Sequence, residues 1–167
     1  MKKLTILLCC ILLLQLLCAC NGNTEEFTTP VNYYYTNETV HYNSVSGVLR
    51  AEVREGASLQ GNITAYLHSY LRGPTSDDLK SAIPPEVYLV SCSVDGNVAT
   101  IVLSSNFSKL TGVDLSTSCS ALLLSVHDFA EIDTVHFSAK DAKLDDKDVY
   151  TITIDDIILL DTVSMED

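Results

Sequence analysis

The chain has 167 residues, an apolar fraction of 47% and a formal net charge of −12. That length suffices for one domain with a sizeable core. Beyond Lys2-Lys3 it carries no basic cluster, which argues against nucleic-acid binding and against electrostatic docking on anionic lipid; the acid excess fits a solvated surface.

The N-terminus is a targeting segment. Lys2 and Lys3 precede an apolar run that only Gln15 interrupts. The run is short for a membrane span and ends in small residues, the pattern of an export signal. Its end, Leu17-Cys18-Ala19-Cys20, resembles the lipobox of bacterial lipoproteins, in which cleavage precedes a cysteine that carries diacylglycerol. The resemblance implies a lipoprotein signal peptide over residues 1–19, lipid attachment at Cys20, and a place on the extracytoplasmic face of the cell membrane. An ordinary secretory signal cut nearby is the alternative. Acyl chains in pairs anchor stably. Cleavage removes two lysines and no acid, which takes the charge from −12 to −14. Residues 20–30, polar and ending in proline, read as a tether. Ten extended residues reach at most about 35 Å.

A single domain is expected over residues 31–163. VNYYYT and ETVHYN read as strands of a short hairpin around Asn37, and GVLRAEVRE as a further strand. The period then changes. Leu59, Ile63, Leu67 and Leu71 recur every fourth residue with Tyr66 and Tyr70 alongside, Ser58 is a candidate N-cap, and Gly73-Pro74 is a stop. This is an amphipathic helix whose stripe faces the core. Two strands follow, with Asp95-Gly96 between them as a type I′ turn. That register pairs Val94 with Asn97, Cys92 with Ala99, Val90 with Ile101 and Tyr88 with Leu103 on an apolar core face. The other face carries Leu89, Val98 and Val102 among Ser91, Ser93 and Thr100. A loop with Gly112 leads to a second helix over roughly Ser116 to Ala130, then come the strand IDTVHFS, an acid-rich loop, the segment VYTITI and the apolar run Ile157 to Leu160. Both helices can cover one face of a mostly antiparallel sheet, which gives a two-layer α+β domain.

The order Leu71-Arg72-Gly73-Pro74, Ser81-Ala82-Ile83-Pro84, Val98-Ala99-Thr100-Ile101 and Ser104-Ser105-Asn106-Phe107 resembles the GerMN domain. Leu123, Phe129 and Val135-His136-Phe137 continue the match, which covers about residues 58–140. The family places an acidic residue in the first turn of the second helix, where a start at Ser116 gives Thr117-Ser118-Cys119. It also places a glycine after the Val135 strand, which this chain lacks, implying a reshaped loop. The resemblance implies an exported envelope protein, often a lipoprotein, associated with sporulation and germination. It further implies a fold like that of ring-building modules, with no established enzymatic activity. Some relatives carry two copies of the domain and this chain carries one.

No G-x-S-x-G elbow, P-loop, dinucleotide fingerprint or HExxH is present. His41, His68, His127 and His136 are scattered, so no metal and no cofactor are expected. Asp141, Asp145, Asp146 and Asp148 could bind calcium but lack the EF-hand order and its glycine, and a solvated loop is favoured. Cys92 and Cys119 fall on expected core faces, as a disulfide or as two buried thiols, where thiols are inert. Three functions remain open. The first is a lipid-anchored interaction or scaffold module of the envelope, with an envelope protein or itself as partner and no nucleic acid. Its partner surface would be Leu89, Val98 and Val102, unless the N-terminal strands or the Ile157 to Leu160 run cover that face. The second is a solute- or cell-wall-binding lipoprotein, which would use an aromatic pocket at Tyr33 to Tyr35. The third is an envelope hydrolase, which would need perturbed acids or histidines in a cleft.

Overall fold

Alternation of period two builds the first strand. β1 (Pro30–Asn37) buries Val31, Tyr33 and Tyr35 and turns Asn32, Tyr34 and Thr36 to its other side. The computed structural model describes residues 29–38, 48–56, 59 and 61–157. The signal segment, Cys20 and the Ile158–Leu160 part of the last apolar run lie outside these residues. So does ETVHYN apart from Glu38. β1 pairs antiparallel with β2 (Leu49–Glu55) along its length and with β3 (Leu79–Lys80) at Thr36 and Asn37.

α1 spans Ile63–Tyr70 and starts later than the apolar stripe suggests. Gly61 holds φ +76, which a right-handed helix cannot run through, so the cap is Asn62 rather than Ser58. Asn62 Oδ1 accepts from Ala65 N at 3.0 Å. Tyr66, Leu67 and Tyr70 are the buried residues of this helix.

β4 (Leu89–Asp95) and β5 (Val98–Leu103) form the expected hairpin, with its turn one residue later than expected and each pairing therefore moved by two. The turn is Gly96-Asn97, and of these two only Gly96, at φ +59, is left-handed. Glycine suits that first position, while a turn at Asp95-Gly96 would force Asp95 into the left-handed region as well. Asp95 therefore pairs with Val98, Val94 with Ala99 and Cys92 with Ile101. A bulge then slips the ladder: Ser91 faces Val102, Leu89 faces Leu103, and Val90 is the extra residue.

α2 spans Gly112–Ala130 and begins a turn before Ser116, so Asp114 occupies its first turn and supplies the acid that the family pattern calls for. Asp145 Oδ2 accepts from Gly112 N at 3.1 Å and places a carboxylate against the same helix end. α2 carries the chain from β5 to β6 (Thr134–Ala139), which lies parallel to β5, and β7 (Tyr150–Thr153) closes antiparallel on β6. At the turn after β6, Asp141 takes φ +57, the conformation glycine takes at no steric cost.

Among the described residues the strands divide into a three-stranded sheet, β2-β1-β3, and a four-stranded sheet, β4-β5-β6-β7. The class is α+β as expected, mostly antiparallel, with helices packed on sheet. α2 joins the two halves. It packs against β1 of one sheet and against β6 and β7 of the other, so from Ser118 to Val126 all but Ser120 are buried. One core, with Phe107, Leu122, Leu123 and Phe137, runs through both.

β1 has an open side beyond β3, and hydroxyls from the helices close it. Tyr34 N donates to Ser125 Oγ at 2.9 Å, Tyr70 Oη donates to Tyr34 O at 3.0 Å, and Tyr66 Oη donates to Asn32 O. Backbone groups that a further strand would satisfy are thus satisfied by side chains.

Candidate functional site

The alternation that buries Ala99, Ile101, Leu103, Val135, Phe137 and Ile152 sends their neighbours to the opposite face of the four-stranded sheet. That face carries Val98, Thr100 and Val102 on β5, Thr134, His136 and Ser138 on β6, and Thr151 and Thr153 on β7. All are half-buried or exposed. His136 Nδ1 meets Thr151 Oγ1 at 2.8 Å, and Thr153 Oγ1 donates to Asp156 Oδ2 at 2.8 Å. The Asp156 carboxyl is held below its ordinary range by the Thr153 amide first and the Thr153 hydroxyl second. The face is rich in hydroxyls and striped by two valines.

Of the expected partner residues, Val98 and Val102 lie on this face and Leu89 does not. The bulge turns Leu89 onto the core side opposite Leu103, where it is 8% exposed. Tyr88, Val90 and Val94, expected in the core, are instead 60%, 40% and 46% exposed along the outer strand β4. The bulge exchanges Leu89 for Val90 on the core side, whereas the late turn moves each pairing by two residues and leaves the faces as they were, so Val94, opposite Ala99, is exposed near the hairpin end and not by a change of face. The N-terminal strands do not cover the face, since they form their own sheet on the far side of α2.

Cys92 and Cys119 are free. Cys119 is fully buried and burial pushes its thiol well up. Cys92 is only half-buried, contrary to the core position expected for it, and burial raises its thiol too. Neither environment makes a thiolate nucleophile.

Tyr33 and Tyr35 are packed rather than arranged around a pocket, at 1% and 0% exposure. The Tyr33 ring stacks on Tyr66 at 4.6 Å, Tyr66 on Phe129 at 4.2 Å, and Tyr35 on Tyr70 at 4.9 Å. The Arg54 guanidinium lies 4.6 Å over the Tyr33 ring. The sequence reading missed the polar half of this unit. Glu52 and Arg54 face inward from β2 while Val53, between them, is exposed. Arg54 Nε donates to Glu52 at 3.0 Å and its Nη2 to Gly73 O at 2.8 Å. Glu52 Oε1 accepts from Thr75 N and Ser76 N, each at 2.9 Å, and from the Thr75 hydroxyl. The Gly73-Pro74 stop is therefore tied to the outer strand β2. The signal available was the misfit of Val48, Ala51 and Val53 to one face.

Asp128 accepts from Asn32 Nδ2 and Tyr34 Oη, both at 2.9 Å. Burial first and that bond second push the Tyr34 phenol up to about 12. His127 Nδ1 lies 3.1 Å from Ile132 O and 3.3 Å from Asp133 Oδ1. The side chains of His127 and Asp128 both brace the end of α2. Among the described residues no three His, Cys, Asp or Glu side chains converge as a metal site. Asp145 serves the start of α2, Asp148 pairs with Lys143 at 3.8 Å, and Asp145-Asp146 make a left-handed turn. An open depression beside them is lined by Ala139, Asp141, Ala142, Lys143 and Asp148. Among the described residues no helix is long and apolar enough to cross a membrane.

The family model described as "Germane: Sporulation and spore germination" matches residues 32–145, which takes in both helices and the strands from β1 to β6 and stops short of β7. The chain belongs to this family. Among solved structures, the tandem GerMN domains of the sporulation protein GerM from Bacillus subtilis are similar to this Germane chain. The TM-score is 0.53 and the identity 19%, over 74% of this chain and 43% of that one. The chain thus spans less than half of the tandem protein. The first GerMN domain of the same protein gives 0.48 and 13%, over 72% and 92%. A candidate lipoprotein from Clostridium perfringens gives 0.48 and 13%, over 80% and 93%. No curated protein sequence matches the chain.

Proposed function

We propose that this Germane protein is a lipid-anchored, extracytoplasmic interaction or scaffold module of the bacterial envelope in sporulation or germination, and that it works by binding, without turnover. The observation that carries the reading is the four-stranded sheet, whose outer face no other strand covers among the described residues, with half-buried Val98 and Val102 on that face and exposed Tyr88, Val90 and Val94 at and along its outer strand. Exposed apolar side chains close together on an acidic domain are the usual mark of a protein partner surface. The lipobox at Leu17 to Cys20 supports the anchor, and family membership supports the developmental setting. The buried packing of Tyr33 and Tyr35 takes from the solute-binding reading the residues it would have used.

Photo-cross-linking side chains placed singly at Val90, Val98 and Val102 in envelopes should give discrete protein adducts. Val113, 80% exposed at the start of α2, is the control and should give none. Cys20→Ala should release the protein from membranes. Identical adducts from Val113, or turnover of peptidoglycan by the purified protein, would count against the proposal.

A further inference from the structure

We propose that His136 makes the open face of the four-stranded sheet a pH-dependent binding surface: the face holds its protein partner while the His136 ring is neutral and releases it when the ring takes up a proton. The inference rests on the reading of that face as the partner surface and adds its regulation.

The strand ladders fix where His136 sits. Cross-strand partners share one side of a sheet, so the open face is built of rows. One row is Asp95, Val98, Thr134 and Thr153, the next is Ser93, Thr100, His136 and Thr151, and the third is Ser91, Val102 and Ser138. His136 is in the middle row. Val98 and Val102 stand opposite Thr134 and Ser138, two residues to either side of His136 on β6. Each valine is therefore one diagonal step from His136, about 8 Å at the ordinary spacings of a sheet. A partner that covers both valines covers the ring between them. The ring is half-buried, and its Nδ1 lies 2.8 Å from Thr151 Oγ1, a bond that holds it against the sheet. His68 is on α1 and His127 on α2, so neither belongs to this face.

The groups around the ring are neutral. β5 presents Thr100, β7 presents Thr151, β6 itself presents Thr134 and Ser138, and β4, one strand further, presents Ser91 and Ser93. The charged groups of the face are at one end: Asp95 closes β4, and Asp156 is bonded to Thr153. Among the described residues neither is bonded to His136. Histidine is the side chain that changes charge between about pH 5 and about pH 8. A partner on the face takes the ring out of water, and loss of water penalises the imidazolium and not the neutral imidazole. With no carboxylate bonded to the ring to offset that cost, the complex favours the neutral form. Binding is then fully present where the ring of the free protein is neutral, and it weakens as pH falls and a proton must leave before the ring is covered. Carboxylates as a class change charge below this range and do not give the same step.

Photo-cross-linking side chains at Val98 and at Val102, in washed envelopes held at about pH 7.5 and at about pH 5.5, read the step. Adduct yield should fall about fivefold at the lower pH. His136→Gln keeps an amide for Thr151 and carries no titratable charge, so its yield should hold at both. His136→Thr, which extends the row of hydroxyls, should behave in the same way. His68→Gln, on α1, should fall as the wild type does. The partner's own groups titrate alike in every case, so the comparison isolates His136. Circular dichroism at both pH values checks folding, and the threonine variant decides the matter should the glutamine variant misfold. An equal fall in wild type and folded His136→Gln, a wild-type yield that rises as pH falls, or a flat profile in His68→Gln would each overturn the inference. Adducts at both valines that do not change with pH would overturn it and leave the interaction module standing. Absence of any adduct from Val90, Val98 and Val102 at either pH would remove both.

Discussion

Replacing Glu52 with alanine tests whether the inward charges of β2 hold the fold. The carboxylate meets Arg54 and three donors from Thr75 and Ser76. Its side chain is 9% exposed and that of Arg54 17%. Removing one partner of such a pair leaves the other charge poorly compensated, at a cost of about 3–5 kcal/mol. Arg54 keeps the Gly73 carbonyl and the Tyr33 ring, and the loop donors can turn to water, so the lower end, about 3 kcal/mol, is expected. The pH dependence is a second reading of the same bond. Burial raises the Glu52 pKa, but the bonds from Thr75 and Arg54 outweigh it and leave the carboxyl below its ordinary value. A carboxyl depressed on folding contributes stability above its unfolded pKa, about 4.3, and loses it as pH falls through the folded value. Urea unfolding should therefore show the wild type losing stability below about pH 4 by more than Glu52→Gln does. A loss under about 1 kcal/mol for Glu52→Ala, or identical acid profiles for wild type and Glu52→Gln, would show that the pair behaves as an ordinary surface ion pair.

Tyr66→Phe and Tyr70→Phe keep the stacked rings and remove the hydroxyls that close β1. Each should cost about 1 kcal/mol or more in urea unfolding, because each leaves a strand carbonyl without its donor. Asp141→Gly should be neutral or stabilise, by up to about 1 kcal/mol, since a left-handed position strains aspartate and not glycine, and thermal unfolding would show it.

Much of this fold is legible in the sequence, and several of the departures trace to a single residue. Strand alternation at Tyr33 and Tyr35, the hairpin, both helices and the α+β class follow from periodicity. The departures begin where one residue changes a register. Gly61 delays α1, the Gly96-Asn97 turn comes one residue later than expected, and the bulge at Val90 exchanges Leu89 for Val90 on the core face. The bulge has no mark of its own in Leu89–Asp95, where Val90, Cys92 and Val94 alternate with Leu89, Ser91 and Ser93 as in a regular strand, so the exposure of Val90 could not be read beforehand. The division into two sheets was equally hidden. It depends on α2 being buried on both sides, which the serines at 118 and 125 disguise. Each of those serines bonds back to its own helix, Ser118 to Asp114 O and Ser125 to Ala121 O, so each can be buried without loss. The inward Glu52 and Arg54 were invisible for the opposite reason: charge on an outer strand normally means solvent, and only the Gly73–Ser76 loop lying over them makes a dry site.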